Sequence, residues 1–274
     1  MKIYAICLVK NEDDIISQTL SHAIKFCDKV IVLDNGSTDE TWSIVQSLAK
    51  YNSQIIPFGQ LKVPFQNGLR SLVYNEFHHT LTDEDWWLRL DGDEFLLQDP
   101  RPVIQKALDE KSDFIKAWQA QFYFTEADHH TWLAGQDNQN IPIFKRRRFY
   151  CIDWREYRLF RNQQNLPWDG QISDHWPTGL NKVCSQYIYN RHYQYRDPLQ
   201  IQKRLDTRNS LNKNTLEKEF KHVLSKDWHS EIRSSKGLDY YKDDEPMKLD
   251  IFNFYRKRLS LALLKKLPVI LQSK

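Results

Sequence analysis

The sequence predicts an α/β fold: a doubly wound, mostly parallel central sheet with helices on both faces, and a C-terminal helical extension. Three observations predict it. Apolar runs of strand length alternate with helix-periodic stretches through the first 112 residues. Three of those runs end in polar, mostly acidic clusters. From about residue 216 the chain turns charged and helical in character. A length of 274 residues fits one large domain with a small addition. The division expected is 1–215 as the main domain, with halves 1–112 and 113–215, and 216–274 as the extension.

Ile3 to Val9 is a short run rich in β-formers and reads as a buried strand. Asn11 is placed to cap the next helix, where Ile16, Leu20, Ala23 and Cys27 recur at helical spacing. Val30 to Leu33 is the second strand. Ser37 and Glu40 have the spacing of a capping box, before a helix with Trp42, Val45, Leu48 and Ala49 on one face. Gln54 to Pro57 gives a third strand. Asn67 is placed to cap a helix with Leu69, Leu72, Val73 and Phe77 inward. Trp86 to Leu90 is the fourth strand and ends at Asp91. After Asp113 only short β-like runs, Phe114 to Trp118 and Tyr157 to Phe160, stand out among aromatic-rich loops.

In open α/β sheets ligands bind beyond the carboxyl ends of the strands. The polar clusters after Val9, Leu33 and Leu90 fall at that edge. In Asp91-Gly92-Asp93 the two acids are two positions apart, so in an extended segment both face one way, toward a hard cation such as Mg²⁺ or Mn²⁺. Gly92 lets a ligand approach. A solvated acidic turn is the plainer reading of this motif. Asp34 ends a strand and can accept hydrogen bonds from a base or ribose, whereas Asp39 suits a helix N-terminus.

Three segments in register, "LVKNEDDIISQTL", "KVIVLDNGSTDET" and "WWLRLDGDEFL", resemble the family 2 glycosyltransferases of the GT-A fold. The resemblance covers roughly the first 100 residues. It implies inverting transfer of a sugar from a nucleotide donor, usually a UDP-sugar, to an acceptor hydroxyl. It also implies that Val9, Lys10 and Asn11 line the nucleotide, that Asp34 binds the base and that Asp91 reaches the ribose or the metal. Asp93 would hold Mn²⁺ or Mg²⁺ on the diphosphate. Relatives often carry an Arg-Asn pair before the metal strand. Here Tyr74 precedes Asn75, and Arg70, on the same helical face, is either its replacement or a surface residue.

"YRLFRNQQNLPWDGQISDHW" resembles a later family segment that ends in His-Glu, here replaced by Ser173-Asp174. Inverting transfer needs a carboxylate to take the acceptor's proton. Asp174 is the first candidate base and Asp169 the second, and His175 either assists or packs. "YNRHYQYRDPLQIQKR" resembles another late stretch. There His192 completes a metal shell, bonds the diphosphate or packs, and Arg196 and Lys203 neutralise phosphate. Trp154, Trp168 and Trp176 are sugar-stacking platforms or core.

Composition narrows the partners. A net charge of +3 is too mild to argue for nucleic acid. The four dispersed cysteines, with no CxxC pair, read as reduced thiols rather than disulfides. No signal-peptide core and no run of about 20 apolar residues appears, so a cytoplasmic chain is expected. Lys145 to Arg148 is a solvated face or meets an anionic acceptor or headgroup. Phe252 to Leu271 mixes Arg and Lys with apolar residues, as in a helix lying on the inner face of the cell membrane or one packed on the domain. The expected partners are therefore a nucleotide-sugar donor and a glycan or lipid-linked glycan acceptor, of the bacterial capsule or lipopolysaccharide kind. A non-catalytic nucleotide-sugar binder is the alternative. A D-x-D phosphatase needs its motif early with Thr or Val two places on, where Phe95 stands. A nicotinamide enzyme needs glycines where Lys10-Asn11-Glu12 stands.

Overall fold

A computed structural model of the chain describes residues 1–168, 175–209 and 227–242, with Glu245, Met247 and Lys248. Asp169, Asp174 and the 252–271 segment lie outside the described residues. In chain order the elements are β1 (Ile3–Val9), α1 (Ile16–Ala23), β2 (Lys29–Asp34), α2 (Thr41–Tyr51), β3 (Ile55–Gln60), α3 (Arg70–Phe77), β4 (Trp86–Asp91), β5 (Glu94–Leu96) and α4 (Arg101–Asp109). They continue with β6 (Phe114–Phe122), α5 (Glu126–Leu133), α6 (Ile143–Arg146), β7 (Phe149–Arg161), β8 (Val183–His192), α7 (Pro198–Asn209) and β9 (Asp239–Tyr240).

One sheet runs through both halves in the order β3-β2-β1-β4-β7-β6-β8-β5, with β9 on β7. Strands β3, β2, β1 and β4 pair in parallel. Beyond β4 the sheet is antiparallel except at β6–β8. The continuous run of parallel strands is thus confined to the first half. The register aligns Val9 with Asp34 and Leu8 with Asp91, which brings three polar strand ends to one edge.

Alternation along the strands divides the core. Ile3, Ala5, Cys7 and Val9 of β1 face Ile16, Leu20, Val45, Ile104 and Ala107 from α1, α2 and α4. Ile6 and Leu8 face the other way, toward Leu69, Val73 and Tyr74 at α3. Trp86 and Trp87, both fully buried, take opposite faces of β4. Each such side chain contributes about 1.5–3 kcal/mol by leaving water. None of the four cysteines is in a disulfide.

Several local expectations change. Asn11 does not cap α1, whose N-cap position is Ile15. It adopts φ +57°, its N–H donates to the Ser37 hydroxyl and its Oδ1 accepts from Thr38 N–H. Asn tolerates that left-handed conformation better than most residues. Ser37 is therefore engaged with the β1 loop and does not cap α2, where the Asp39 carboxylate accepts from Thr41 N–H at 3.0 Å. Helix α3 begins at Arg70, after a short 3-10 turn over Asn67–Leu69. In its register Tyr74 is buried and Leu72 lies exposed. The two short β-like runs belong to much longer strands, β6 and β7.

The basic run Lys145–Arg148 is turned inward at its middle, while Lys145 stays exposed. Arg146 and Arg147 are buried and both engage Asp137, the former through Nε at 2.7 Å. Arg147 also packs over Phe124, with its guanidinium 4.9 Å from the ring centre.

Candidate active site

At the carboxyl ends of β1 and β4 lies a cleft of about 630 Å³. Its near wall is Leu8 to Glu12, running out of β1, with Pro64, Phe65 and Asn67 beside it. Its floor carries Arg89, Asp91, Gly92 and Asp93 from the β4–β5 junction, with Trp154, Glu156 and Arg158 from β7. His192 ends β8 and Tyr195 follows it, and Lys203, Arg204, Thr207 and Arg208 come from one side of α7. A volume of this size suits a small organic ligand.

The Asp-Gly-Asp segment is not extended. Asp91 ends β4, Gly92 and Asp93 form a turn, and Glu94 begins β5. The two carboxylates consequently meet different partners. Asp91 Oδ1 accepts from Arg70 Nη2 at 2.5 Å and its Oδ2 from Arg158 Nη1 at 3.0 Å. Asp93 Oδ2 lies 3.2 Å from Arg204 Nη1 and 3.6 Å from Arg196 Nη1, and its Oδ1 lies 3.4 Å from His192 Nε2. Gly92 is needed for the fold as much as for a ligand. A Cβ there would sit 3.1 Å from Glu12 Cγ and 3.2 Å from Val9 Cγ1.

Burial alone would raise both aspartates. Arg158 and Arg70 outweigh it at Asp91, and His192, Arg204 and Arg196 outweigh it at Asp93, so both carboxyls stay well below the usual range. Glu94 is nearly fully buried and shares Arg158 with Asp91 and Glu156. With three anions around one guanidinium, burial wins at Glu94 and lifts it to about 7. Glu12 behaves alike: burial lifts it to about 7 against the pull of Arg196. Burial would lower His192, but Asp93 and then Glu94 raise it. Burial, followed by the neighbouring Arg204, pushes Arg208 down to about 9.

The residues expected from sequence divide into three groups. Val9, Lys10, Asn11, Asp91, Asp93, His192 and Lys203 line the cleft together. Asp34, Arg70 and Arg196 stand behind its wall. Asp34 is fully buried, with Oδ1 accepting from Ser37 N–H at 2.7 Å and Oδ2 without a partner. Arg70 is neither a surface residue nor a cleft residue; it clamps Asp91 and bonds Asn67 Oδ1 at 3.1 Å. Arg196, expected on phosphate, is fully buried with its fork on Asp14 and Glu12. Lys203 faces the cleft but its ammonium meets Asp39 at 2.5 Å. Asp174 and Asp169 form the third group, outside the described residues. Of the three tryptophans, Trp154 lines the cleft, whereas Trp168 and Trp176 pack in the core.

A family model described as glycosyl transferase family 2 matches residues 4–179. The chain belongs to glycosyl transferase family 2. Proteins named as uncharacterised glycosyltransferases of Rickettsia typhi and Rickettsia bellii are 30% and 31% identical to it over 104 residues, which is 38% of this chain. The match spans about a third, 32%, of the length of each of these curated relatives. Among solved structures, S. aureus TarS 1-349 is similar with a TM-score of 0.41 and 15% identity, over 76% of this chain and 64% of that one. The mannosyltransferase PcManGT from Pyrobaculum calidifontis, in complex with GDP-Man and Mn²⁺, gives a TM-score of 0.40 and 13% identity, over 70% and 56% of the two chains.

The family resemblance implied Mn²⁺ or Mg²⁺ on Asp91, Asp93 and His192. The donor set does not fit one. Among the described residues no group of three His, Cys, Asp or Glu side chains is arranged to hold an ion. Both oxygens of Asp91 face guanidinium groups, and Asp93 faces two more and an imidazole.

Sequence reading missed Arg158, Arg89, Glu156, Arg204 and Arg208. The spacing of Ile201 and Leu205, which are buried, against Arg204 and Arg208, which line the cleft, is the amphipathic signal that marks α7. Among the described residues no helix is long and apolar enough to cross a membrane.

Proposed function

We propose that the chain transfers a sugar from a nucleotide-sugar donor to an acceptor hydroxyl, with inversion at the anomeric carbon. The observation that carries this reading is the cleft at the carboxyl ends of β1 and β4, where the β4–β5 acids meet the basic face of α7. In the step proposed, the acceptor oxygen bonds to the anomeric carbon while that carbon's bond to the diphosphate oxygen breaks. The hydroxyl proton passes to a carboxylate, for which Asp174 remains the candidate and Asp169 the second. The guanidinium groups of Arg204 and Arg208 stabilise the charge left on the departing diphosphate. The nucleobase end of the donor lies against Leu8, Val9, Pro64 and Phe65, whose apolar surface suits a flat ring, with Asp34 close behind the wall.

A UDP-sugar is the donor favoured by the resemblance, and a glycan or lipid-linked glycan of the bacterial surface is the acceptor. In this reading the enzyme works in the cytoplasm against the inner face of the cell membrane, through its basic C-terminal segment. The test is a panel of sugar nucleotides read by thermal shift and by release of nucleoside diphosphate. A ligand that binds only the native state raises the melting temperature. One sugar nucleotide should do so and be turned over. Binding without turnover in the presence of a broad acceptor mixture would instead make the protein a nucleotide-sugar binder.

A further inference from the structure

Resting on the nucleotide-sugar reading, we propose that the donor's diphosphate is held directly by the basic face of α7, through Arg204 and Arg208 with Lys203, with no divalent cation bridging it to Asp91 and Asp93. Two sets of observations lead there.

The first is what has happened to the acids. A bridging cation needs carboxylate oxygens that are not already answered by positive charge. Asp91 spends one oxygen on Arg70 and the other on Arg158, at 2.5 and 3.0 Å. Asp93 has Arg204 and Arg196 on one oxygen and His192 on the other. An ion placed among them would be set against guanidinium groups at contact range. The acids position arginines.

The second is the balance of hydrogen-bonding groups around the cleft. Arg89, Arg158 and Arg204 line it, and the Nε of each is buried without an acceptor. The Nδ1 of His192 is also buried without a partner. Buried donors left unpaired are costly, and the groups that satisfy them best are anionic oxygens. The wall thus lacks acceptors, and a diphosphate supplies them. Helix α7 is the element that presents basic groups in the right array. Lys203 and Arg204 stand one turn before Thr207 and Arg208, and all four line the cleft.

The experiment uses the full chain, treated with EDTA, and three probes: inorganic pyrophosphate, UDP and GDP. Binding is measured by calorimetry and thermal shift in EDTA and again in excess MgCl₂ or MnCl₂. Pyrophosphate and at least one of the nucleotides should bind in EDTA, and the cation should improve the affinity of that nucleotide by less than about threefold, under 1 kcal/mol. Arg204→Gln and Arg208→Gln should each weaken binding in EDTA about tenfold or more, and Arg204→Lys should restore part of the loss. The melting temperature of each unliganded variant shows whether it folds. Binding that appears only with the cation overturns the proposal, and so does binding indifferent to both substitutions. If none of the three probes binds in either condition, the nucleotide-sugar reading falls first and takes this proposal with it.

Discussion

Two arginine clusters of similar chemistry sit in this molecule and end differently. Under α6, every side-chain nitrogen of Arg147 has a protein partner: Nε donates to the Arg196 carbonyl, Nη1 to the Arg146 carbonyl and Nη2 to Asp137. At the cleft, Arg204 donates to Asp93 and to Gln194, but its Nε has no acceptor. Arg147 is closed by the protein itself, although its neighbour Arg146 keeps both Nη atoms buried without a hydrogen-bond acceptor; Arg204 differs in that its spare donor stands at a cavity. The difference teaches that a basic residue in the sequence announces neither a surface nor a site. What matters is whether a donor left without an acceptor adjoins a cavity.

The sharpest way to break this comparison is to open the closed cluster. Asp137→Ala takes the nearest carboxylate from two buried guanidinium groups, leaving them only the longer pairs with Asp197 and Asp128, and should cost about 3 kcal/mol of stability, read by urea denaturation. Nucleotide affinity of the folded fraction should stay the same; a loss of affinity larger than the loss of stability would erase the distinction. At the open cluster the effect belongs to function. Asp93→Asn should reduce release of nucleoside diphosphate from a sugar nucleotide about 100-fold or more, the scale on which a placed charge matters in a dry site, while the protein remains folded by circular dichroism.

A smaller effect separates the clusters by pH. Glu12 and Glu94 at the cleft are lifted from 4.5 to about 7. Between those values the folded chain holds more protons than the unfolded one, so stability declines as pH rises toward neutrality. Asp137 has the opposite sign. Burial would raise it, but its hydrogen bonds to Arg146 and Arg147 win and hold it low. Its contribution is present above the normal carboxylate range and is lost in acid. Melting temperatures across pH 4.5 to 8 should fall on the neutral side, and Glu94→Gln should flatten that fall. Smallest of all, Lys203→Ala removes a partly exposed pair with Asp39. It should cost no more than about 1 kcal/mol of stability, while shifting pyrophosphate affinity in the same direction as Arg204→Gln.

How much of this was written in the sequence depends on the half of the sheet. In β1, β2 and β4 apolar residues fill both faces and the polar clusters mark the ends, so the strands and their shared edge were legible. In β6 and β8 the buried positions include Gln119, Gln121 and Asn190. Those side chains bond one another, Glu94 and the backbone at Phe122 and His192. A strand whose buried residues are amides does not look buried, so β6 read as short and β8 was not read as a strand. Asp91 and Asp93 were found, but spacing alone placed them side by side. The turn at Gly92 sends them to different arginines, and those arginines come from β7, α3, α7 and the segment just before α7. Arg204 and Arg208 stayed hidden because a basic helix face looks the same whether it meets water or a cleft.

Only Gly92 and Asp93 separate β5 from β4, yet β5 lies at the far edge of the sheet, paired with β8 so that Glu94 sits opposite His192. Tyr193 N–H closes the same junction on the Asp93 carbonyl at 2.9 Å. A ribosome making this chain therefore emits the acidic turn long before the strand that anchors it. Truncated pieces ending before Val183 carry the motif but not its surroundings. Late long-range pairing of this kind slows folding, and it ties the birth of the ligand pocket to a strand made long after the acids it positions.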